Sequence, residues 1–310
     1  MRLKFLNRQK ELGRLRRALS SSDGSLVCLY GRRRCGKSRL VLEALDERAS
    51  VYYVGDERDG ALQRRSLARA IAGVIPGFEQ VEYPGWDVLL DRWWSQAPPG
   101  AVLALDEFPA LAAAVPALPG LLQKRVDAGT ERGIGLILCG SSQRMMQGLV
   151  LDASAPLYGR AREILKVEPL EHRFIMPALG LSDPFKALEA WATWGGVPRY
   201  WELARDHRSH WGAVRDLVLD PLGVLHREPR RLLLDDMREM TQAASLLAVV
   251  GQGRSRVSEM ARRLEKPTTS LARPLQRLIE LGLVARQLPF GASRRKSKQS
   301  LYRISDPFLA

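Results

Sequence analysis

Short apolar runs alternate with amphipathic stretches through the first half of the chain. The runs Ser25–Tyr30, Val51–Val54, Ala101–Leu105, Ile134–Cys139 and Glu163–Val167 have strand length. Three of them (LVCLY, VLAL and IGLILC) are apolar throughout rather than alternating, as strands covered on both faces should be. Between the runs, residues Ser38–Arg48, Gly60–Val74, Trp86–Gln96 and Gly120–Ala128 repeat their apolar positions with helical period. Strands separated by helices pair in parallel through right-handed crossovers. The pattern therefore predicts an α/β fold, a three-layer parallel sheet with helices on both faces.

The strand signal stops near Glu171. Helical periodicity takes over in Pro184–Trp194, Pro198–Arg205, Trp211–Leu219 and Arg230–Val250, which predicts a helical lid or second domain. A third pattern follows. It has an apolar helix (Ala243–Val250), a short helix (Val257–Leu264), a Lys266-Pro267-Thr268-Thr269 turn with a threonine cap, and a longer helix, Ser270–Leu281. Leu271, Leu275, Leu278 and Ile279 lie on one face of that helix, Pro274 is tolerated near its first turn, and Gly282 ends it. A hairpin with a basic tip (GASRRKSKQ) comes last. This succession reads as a winged helix-turn-helix, and the expected domains span 1–170, 171–245 and 246–310.

Composition narrows the class. With 310 residues, 45% apolar and 26% charged, the chain is that of a folded globular protein rather than a disordered or fibrous one. The longest apolar stretch, Ala101–Leu122, is broken by Asp106, Glu107 and prolines, so no membrane span is expected. The first residues lack a signal-peptide core, and three cysteines without metal spacing fit a reducing, cytoplasmic location. The net charge is +14, with 39 of the 48 basic residues being Arg, a bias that GC-rich coding alone can produce. Its placement is more informative: residues 251–310 hold 13 Lys/Arg against 4 Asp/Glu. A positive terminal module points to a polyanion such as double-stranded DNA. In a winged helix the second helix enters the major groove, so Arg273, Gln276 and Arg277 are the candidate base-facing residues. Arg294, Arg295, Lys296 and Lys298 at the wing tip are the candidate phosphate contacts. Docking onto a protein is the competing use of the same module.

Residues 31–38 carry the chemistry. They read GRRRCGKS, a G-x-x-x-x-G-K-[ST] octet between an apolar strand and a helix. Gly31 and Gly36 let the main chain curl so that its N–H groups point at phosphate oxygens, and the helix start adds its positive dipole. Lys37 is expected on the β/γ-phosphates of ATP and Ser38 on Mg²⁺. Arg34, Cys35 and Arg39 complete the candidate loop set, with Cys35 read as either an inert or a redox-sensitive thiol. The run AVLALDEFP supplies Asp106 for the Mg²⁺ shell and Glu107 to polarise the attacking water. Both should stand at the carboxyl edge of the sheet, where ligands gather. Ser141, after the next strand, is read either as a γ-phosphate contact or as part of a helix cap, and is preferred over Ser142. Arg160, beside Gly159, is a candidate arginine finger, acting in cis or across a subunit interface.

Taken in order, Phe5-Leu6-Asn7-Arg8 with Glu11-Leu12, then GRRRCGKS, LALDEFPAL, ILCGSS, PLYGR and GGVPRY resemble the archaeal-type ATPase family of the AAA+/STAND branch of P-loop NTPases. The resemblance implies an ATPase core with strands ordered 5-1-4-3-2, a helical lid and a winged helix. It also implies that Asn7 and Arg8 lie near the adenine, that Ser141 is the sensor, and that Arg160 is the finger. By the same resemblance Gly196 and Pro198 belong to the lid motif over the base, and Arg199 senses the γ-phosphate. A homo-oligomer or a protein partner is implied as well. One departure stands out: such relatives commonly continue past the DPF-like segment into a nuclease-like region, whereas this sequence ends at Asp306-Pro307-Phe308-Leu309-Ala310. Activities of that extra region are not carried over.

Overall fold

A computed structural model describes residues 3–45, 48–129, 132–234, 237, 240–293 and 299–310. The chain divides into two compact units, Asn7–Glu168 and Pro169–Ala310, the latter joined by the first six residues.

The first unit runs α1 (Gln9–Leu19), β1 (Ser25–Tyr30), α2 (Lys37–Leu45), β2 (Ser50–Val54), α3 (Gly60–Ile71) and α4 (Trp86–Gln96). It continues with β3 (Val102–Asp106), α5 (Phe108–Ala114), α6 (Leu118–Ala128), β4 (Gly135–Gly140), α7 (Gln143–Met146) and β5 (Ala161–Lys166). The five strands form one parallel sheet ordered β2-β3-β4-β1-β5, the predicted 5-1-4-3-2 arrangement. The central strands are buried at nearly every position because both faces are covered. Leu26 and Cys28 of β1, Leu103 and Leu105 of β3, and Leu136 and Leu138 of β4 point to one side. They pack there with Leu67 and Ile71 of α3, Leu89 and Trp93 of α4, and Leu122 of α6. The alternate positions Val27, Leu29, Ala104 and Ile137 are equally buried on the opposite face. Helices α1, α5 and α7 are additional to the helical patterns read from the sequence, being short or, in α1, strongly charged.

The second unit holds α8 (Ile175–Leu179), α9 (Pro184–Trp194), α10 (Pro198–Arg205), α11 (His210–Val214) and α12 (Glu228–Leu234). After them come α13 (Met240–Gly251), α14 (Val257–Leu264), α15 (Thr268–Glu280), β6 (Val284–Gln287) and β7 (Leu301–Ile304). Within the expected helical span Arg230–Val250 the described residues form α12 and α13, and residues 235–236 and 238–239 lie outside the described residues. Strands β6 and β7 pair antiparallel, with Val284 opposite Ile304. Leu246, Val250, Met260, Leu271, Leu275 and Leu278 form the core of this segment.

Pro274 is a further correction. Helix α15 starts at Thr268 without a threonine side-chain cap, so Pro274 is its seventh residue rather than part of the first turn. A proline there cannot donate to the carbonyl of Ser270, four residues back. The structure supplies another donor: the amide Nε2 of buried Gln242 on α13 donates to the Ser270 carbonyl at 3.3 Å. A side chain on one helix thus repairs the ladder of its neighbour. Gln242→Leu is expected to cost about 1 kcal/mol in urea unfolding of this unit, and only a few tenths in a Pro274→Ala background, where the N–H is restored. Equal losses in both backgrounds would contradict the repair.

Candidate nucleotide site

Parallel strands deliver their carboxyl ends to one edge, and the candidate residues of the first unit collect there. The loop 31–36 leaves β1 at Tyr30 and enters α2 at Lys37. Gly31 has φ +142°, and a Cβ on it would overlap the carbonyl of Val167, whose N–H donates to Tyr30 at 2.7 Å. Gly36 has φ +89° with open space where a Cβ would be, leaving room beside the main chain. These are the features of a main-chain cradle for an anion.

Lys37 is 5% exposed, and its Nζ donates to the carbonyls of Gly31 (2.9 Å) and Arg32 (3.1 Å). A buried ammonium ion held by neutral carbonyls alone is poorly compensated, and phosphate oxygens would serve it better. Ser38 is exposed on the first turn of α2, and Arg39 pairs along that helix with Glu43 at 3.1 Å.

Asp106 ends β3 and is 3% exposed. Its Oδ2 accepts from the Tyr52 hydroxyl at 2.5 Å and its Oδ1 from the Glu107 N–H at 2.9 Å. Burial alone would raise its pKa, but hydrogen bonds from Ser38, Tyr52, Cys139 and the Glu107 N–H outweigh that and hold it below the usual carboxylate range. The ionised form is therefore the one present at neutral pH. Glu107 follows with φ +49°, and its two carboxylate oxygens accept from the Ser141 hydroxyl at 3.2 and 3.0 Å. Ser142 takes the other role open to that pair, capping α7 by accepting from the Met145 N–H.

Backbone strain concentrates at this edge. Among the described residues, non-glycine positive φ occurs at Asn7, Arg8, Arg34, Glu107 and Glu265. The first four are all candidate site residues, and such strain persists where surrounding structure over-determines it.

Arg8 carries an unexpected role. Arg8 is 6% exposed, and its guanidinium pairs with Glu11 at 2.9 Å and donates to the carbonyls of Cys35 (3.2 Å) and Glu168. It straps the phosphate loop to the end of β5 rather than projecting outward. Cys35 is 1% exposed, and burial pushes its thiol pKa up despite nearby Arg32, Lys37 and Arg8. That favours the inert reading of this thiol.

Arg160 lies apart from these residues. It lies just before β5, whose first residue pairs with Leu26 near the start of β1, whereas the phosphate loop follows Tyr30. Four residues of strand, about 13 Å, separate the two ends. Its guanidinium grips Asp127 through Nε (2.6 Å) and Nη2 (2.9 Å). In this structure Arg160 and the phosphate loop thus lie toward opposite ends of the β1–β5 pair. Pro198 and Arg199 belong to the second unit: Pro198 opens α10, and Arg199 pairs with Glu202 at 2.9 Å. In that unit the Gly196 carbonyl accepts from the Leu170 N–H at 2.7 Å, so this glycine segment has a structural partner.

Sequence reasoning missed Tyr52 and Cys139, which flank Asp106. The signal was available in period-two alternation: Tyr52, Asp106 and Cys139 fall on the same sheet face when the runs VYYV, VLALD and LILC are aligned in parallel.

The comparisons agree with this geometry. The model of a family described as an ATPase domain predominantly from Archaea matches residues 5–203. The chain belongs to this family. An uncharacterised protein of Methanocaldococcus jannaschii is 28% identical over 307 residues, covering 99% of this chain and 67% of that protein. An uncharacterised ATP-binding protein of the same organism is 40% identical over 52 residues, 16% of this chain and 88% of its own length. Among solved structures, a Walker-type ATPase of Pyrococcus abyssi superimposes with TM-score 0.68 at 18% identity, covering 98% of this chain and 95% of that one. The ORC2 protein of Aeropyrum pernix, in ADPNP–ADP complexes, also gives 0.68, at 16% identity, with coverage of 100% and 92%. These likenesses establish the P-loop ATPase fold, and no described helix is long and apolar enough to cross a membrane.

If Arg8 is a strut, Arg8→Ala should cost about 2–3 kcal/mol of stability and weaken triphosphate binding, with Arg8→Lys recovering only part because lysine cannot span three acceptors. Binding and stability unaltered in Arg8→Ala, by thermal melts and fluorescence titration, would contradict that role.

Proposed function

We propose that the chain is a Mg²⁺-dependent ATPase that hydrolyses ATP and acts as a nucleotide switch. The observation that carries this reading is the meeting, at one sheet edge, of a buried Lys37 on a glycine cradle with Ser38, Asp106, Glu107 and Ser141. Lys37 leaves its two carbonyls for the β/γ-phosphate oxygens. Ser38 and the ionised Asp106 would hold the magnesium ion. Two oxygen donors suit that ion, which keeps much of its water and leans on substrate phosphates. When bound, magnesium neutralises charge on the phosphates. Glu107 orients and polarises the attacking water, and Ser141, already bonded to its carboxylate, sets its direction. Arg160 would serve a neighbouring copy, reaching the terminal phosphate across an interface. Pro198 and Arg199 would report nucleotide state from the lid.

The test separates binding from turnover. Lys37→Ala is expected to abolish ATP binding, whereas Glu107→Gln should bind ATP and lose at least about 100-fold in turnover. Equal rates in wild type and both variants would defeat the reading. A nucleotide-ordered regulator or assembly platform without turnover is the alternative if wild type binds but does not hydrolyse.

We further propose that the C-terminal segment is a winged helix that contacts double-stranded DNA. Its support is the helix–helix–hairpin order α14, α15, β6 and β7, with exposed Arg273 and Gln276 on α15. Arg277, the third candidate, is less open, its side chain being 16% exposed and paired with Glu280 at 3.0 Å. Gln276 also bonds Glu280, at 3.2 Å. Arg294, Arg295, Lys296 and Lys298 lie outside the described residues. Neutralising those four should weaken DNA binding and flatten its salt dependence, by up to about four in slope. An unchanged slope would assign the module to protein docking.

A further inference from the structure

Asp106 is almost wholly buried, so its orientation depends on the donors around it. One oxygen is taken by the Glu107 N–H, while the other accepts the Tyr52 hydroxyl at 2.5 Å. Ser38 and Cys139 side chains also hydrogen-bond the carboxylate. Glu107 N–H comes with the chain itself, Cys139 is a weak donor, and Ser38 is itself a residue to be oriented. Tyr52 is the strong side-chain donor from outside the phosphate loop, and its hydroxyl also hydrogen-bonds Ser38.

The topology makes this contact specific. Strand β2 is the edge strand beside β3, with Tyr52 paired to Ala104 and Val54 to Asp106. Alternation puts Tyr52 and Asp106 on the same face, two residues apart in register. The adjacent Tyr53 points the other way, its hydroxyl donating to the Gln63 carbonyl at 3.3 Å. A phenol on an edge strand ordinarily turns its polar tip to water. Here it turns along the sheet to a carboxylate, and phenylalanine would fill the same space without that bond.

We propose that Tyr52 is a positioning residue for the magnesium–nucleotide site. Its hydroxyl locks the Asp106 carboxylate, and Asp106 in turn holds the Ser38 hydroxyl with its lone pairs free for the metal. Residues that orient a ligand through a hydrogen bond commonly set metal affinity by 10- to 100-fold. This inference rests on the ATPase reading above and names a residue that the phosphate-loop and acidic-pair motifs do not include.

The experiment is an equilibrium titration with Mg²⁺ of binding of a slowly hydrolysed ATP analogue, for wild type, Tyr52→Phe, Asp106→Ala and the double variant. Tyr52→Phe is expected to raise the half-saturating Mg²⁺ concentration about tenfold while magnesium-free binding stays within about twofold. In the Asp106→Ala background the same change should have a clearly smaller effect, because the hydroxyl has lost Asp106 and keeps only Ser38. A Tyr52→Phe titration that overlays wild type overturns the proposal, as does a Tyr52 effect undiminished without Asp106, which marks a role not routed through that carboxylate. Wild-type binding indifferent to magnesium is a distinct failure: it removes the metal reading on which this inference rests, and the inference with it.

Discussion

A buried ammonium group at the mouth of a parallel sheet dictates much of what surrounds it. Lys37 is carried inward by the first turn of α2, and the loop before it must curl through Gly31 and Gly36 to bring it there. Its own carbonyl partners compensate the charge only weakly, which makes the position wait on a polyanion. The chain holds this loop in place at a distance of more than a hundred residues. Gly31 closes against Val167, and Arg8 ties the Cys35 and Glu168 carbonyls together.

The opposite wall is built by strand alternation. Asp106 and Glu107 end β3, and β4 delivers Ser141 to the Glu107 carboxylate. Tyr52 from β2 and Cys139 from β4 converge on Asp106 from either side. The acid stays ionised despite burial because donors surround it. Its thiol neighbour does not share that fate: burial raises Cys139 well above the ordinary thiol range, and the Asp106 charge adds to the effect.

The phosphate loop and acidic pair were legible in the sequence because their chemistry is local: a handful of residue types at fixed spacing, between a strand and a helix. The sheet order came from the family resemblance and is the order observed. What resisted reading was long-range geometry. Arg160 sits at the amino end of β5, which only the register of β5 against β1 reveals. The resemblance put Arg8 near the adenine, but its strapping of partners 27 and 160 residues away shows in no local pattern. Pro274 survives within α15 through Gln242, whose partnership no helical period encodes.

A structure with a slowly hydrolysed triphosphate would test the central claim most directly. The account expects Lys37 Nζ to have left the Gly31 and Arg32 carbonyls and to lie about 3 Å from a phosphate oxygen, with Glu107 across from the terminal phosphorus. A nucleotide bound elsewhere, with Lys37 still on those two carbonyls, would contradict it.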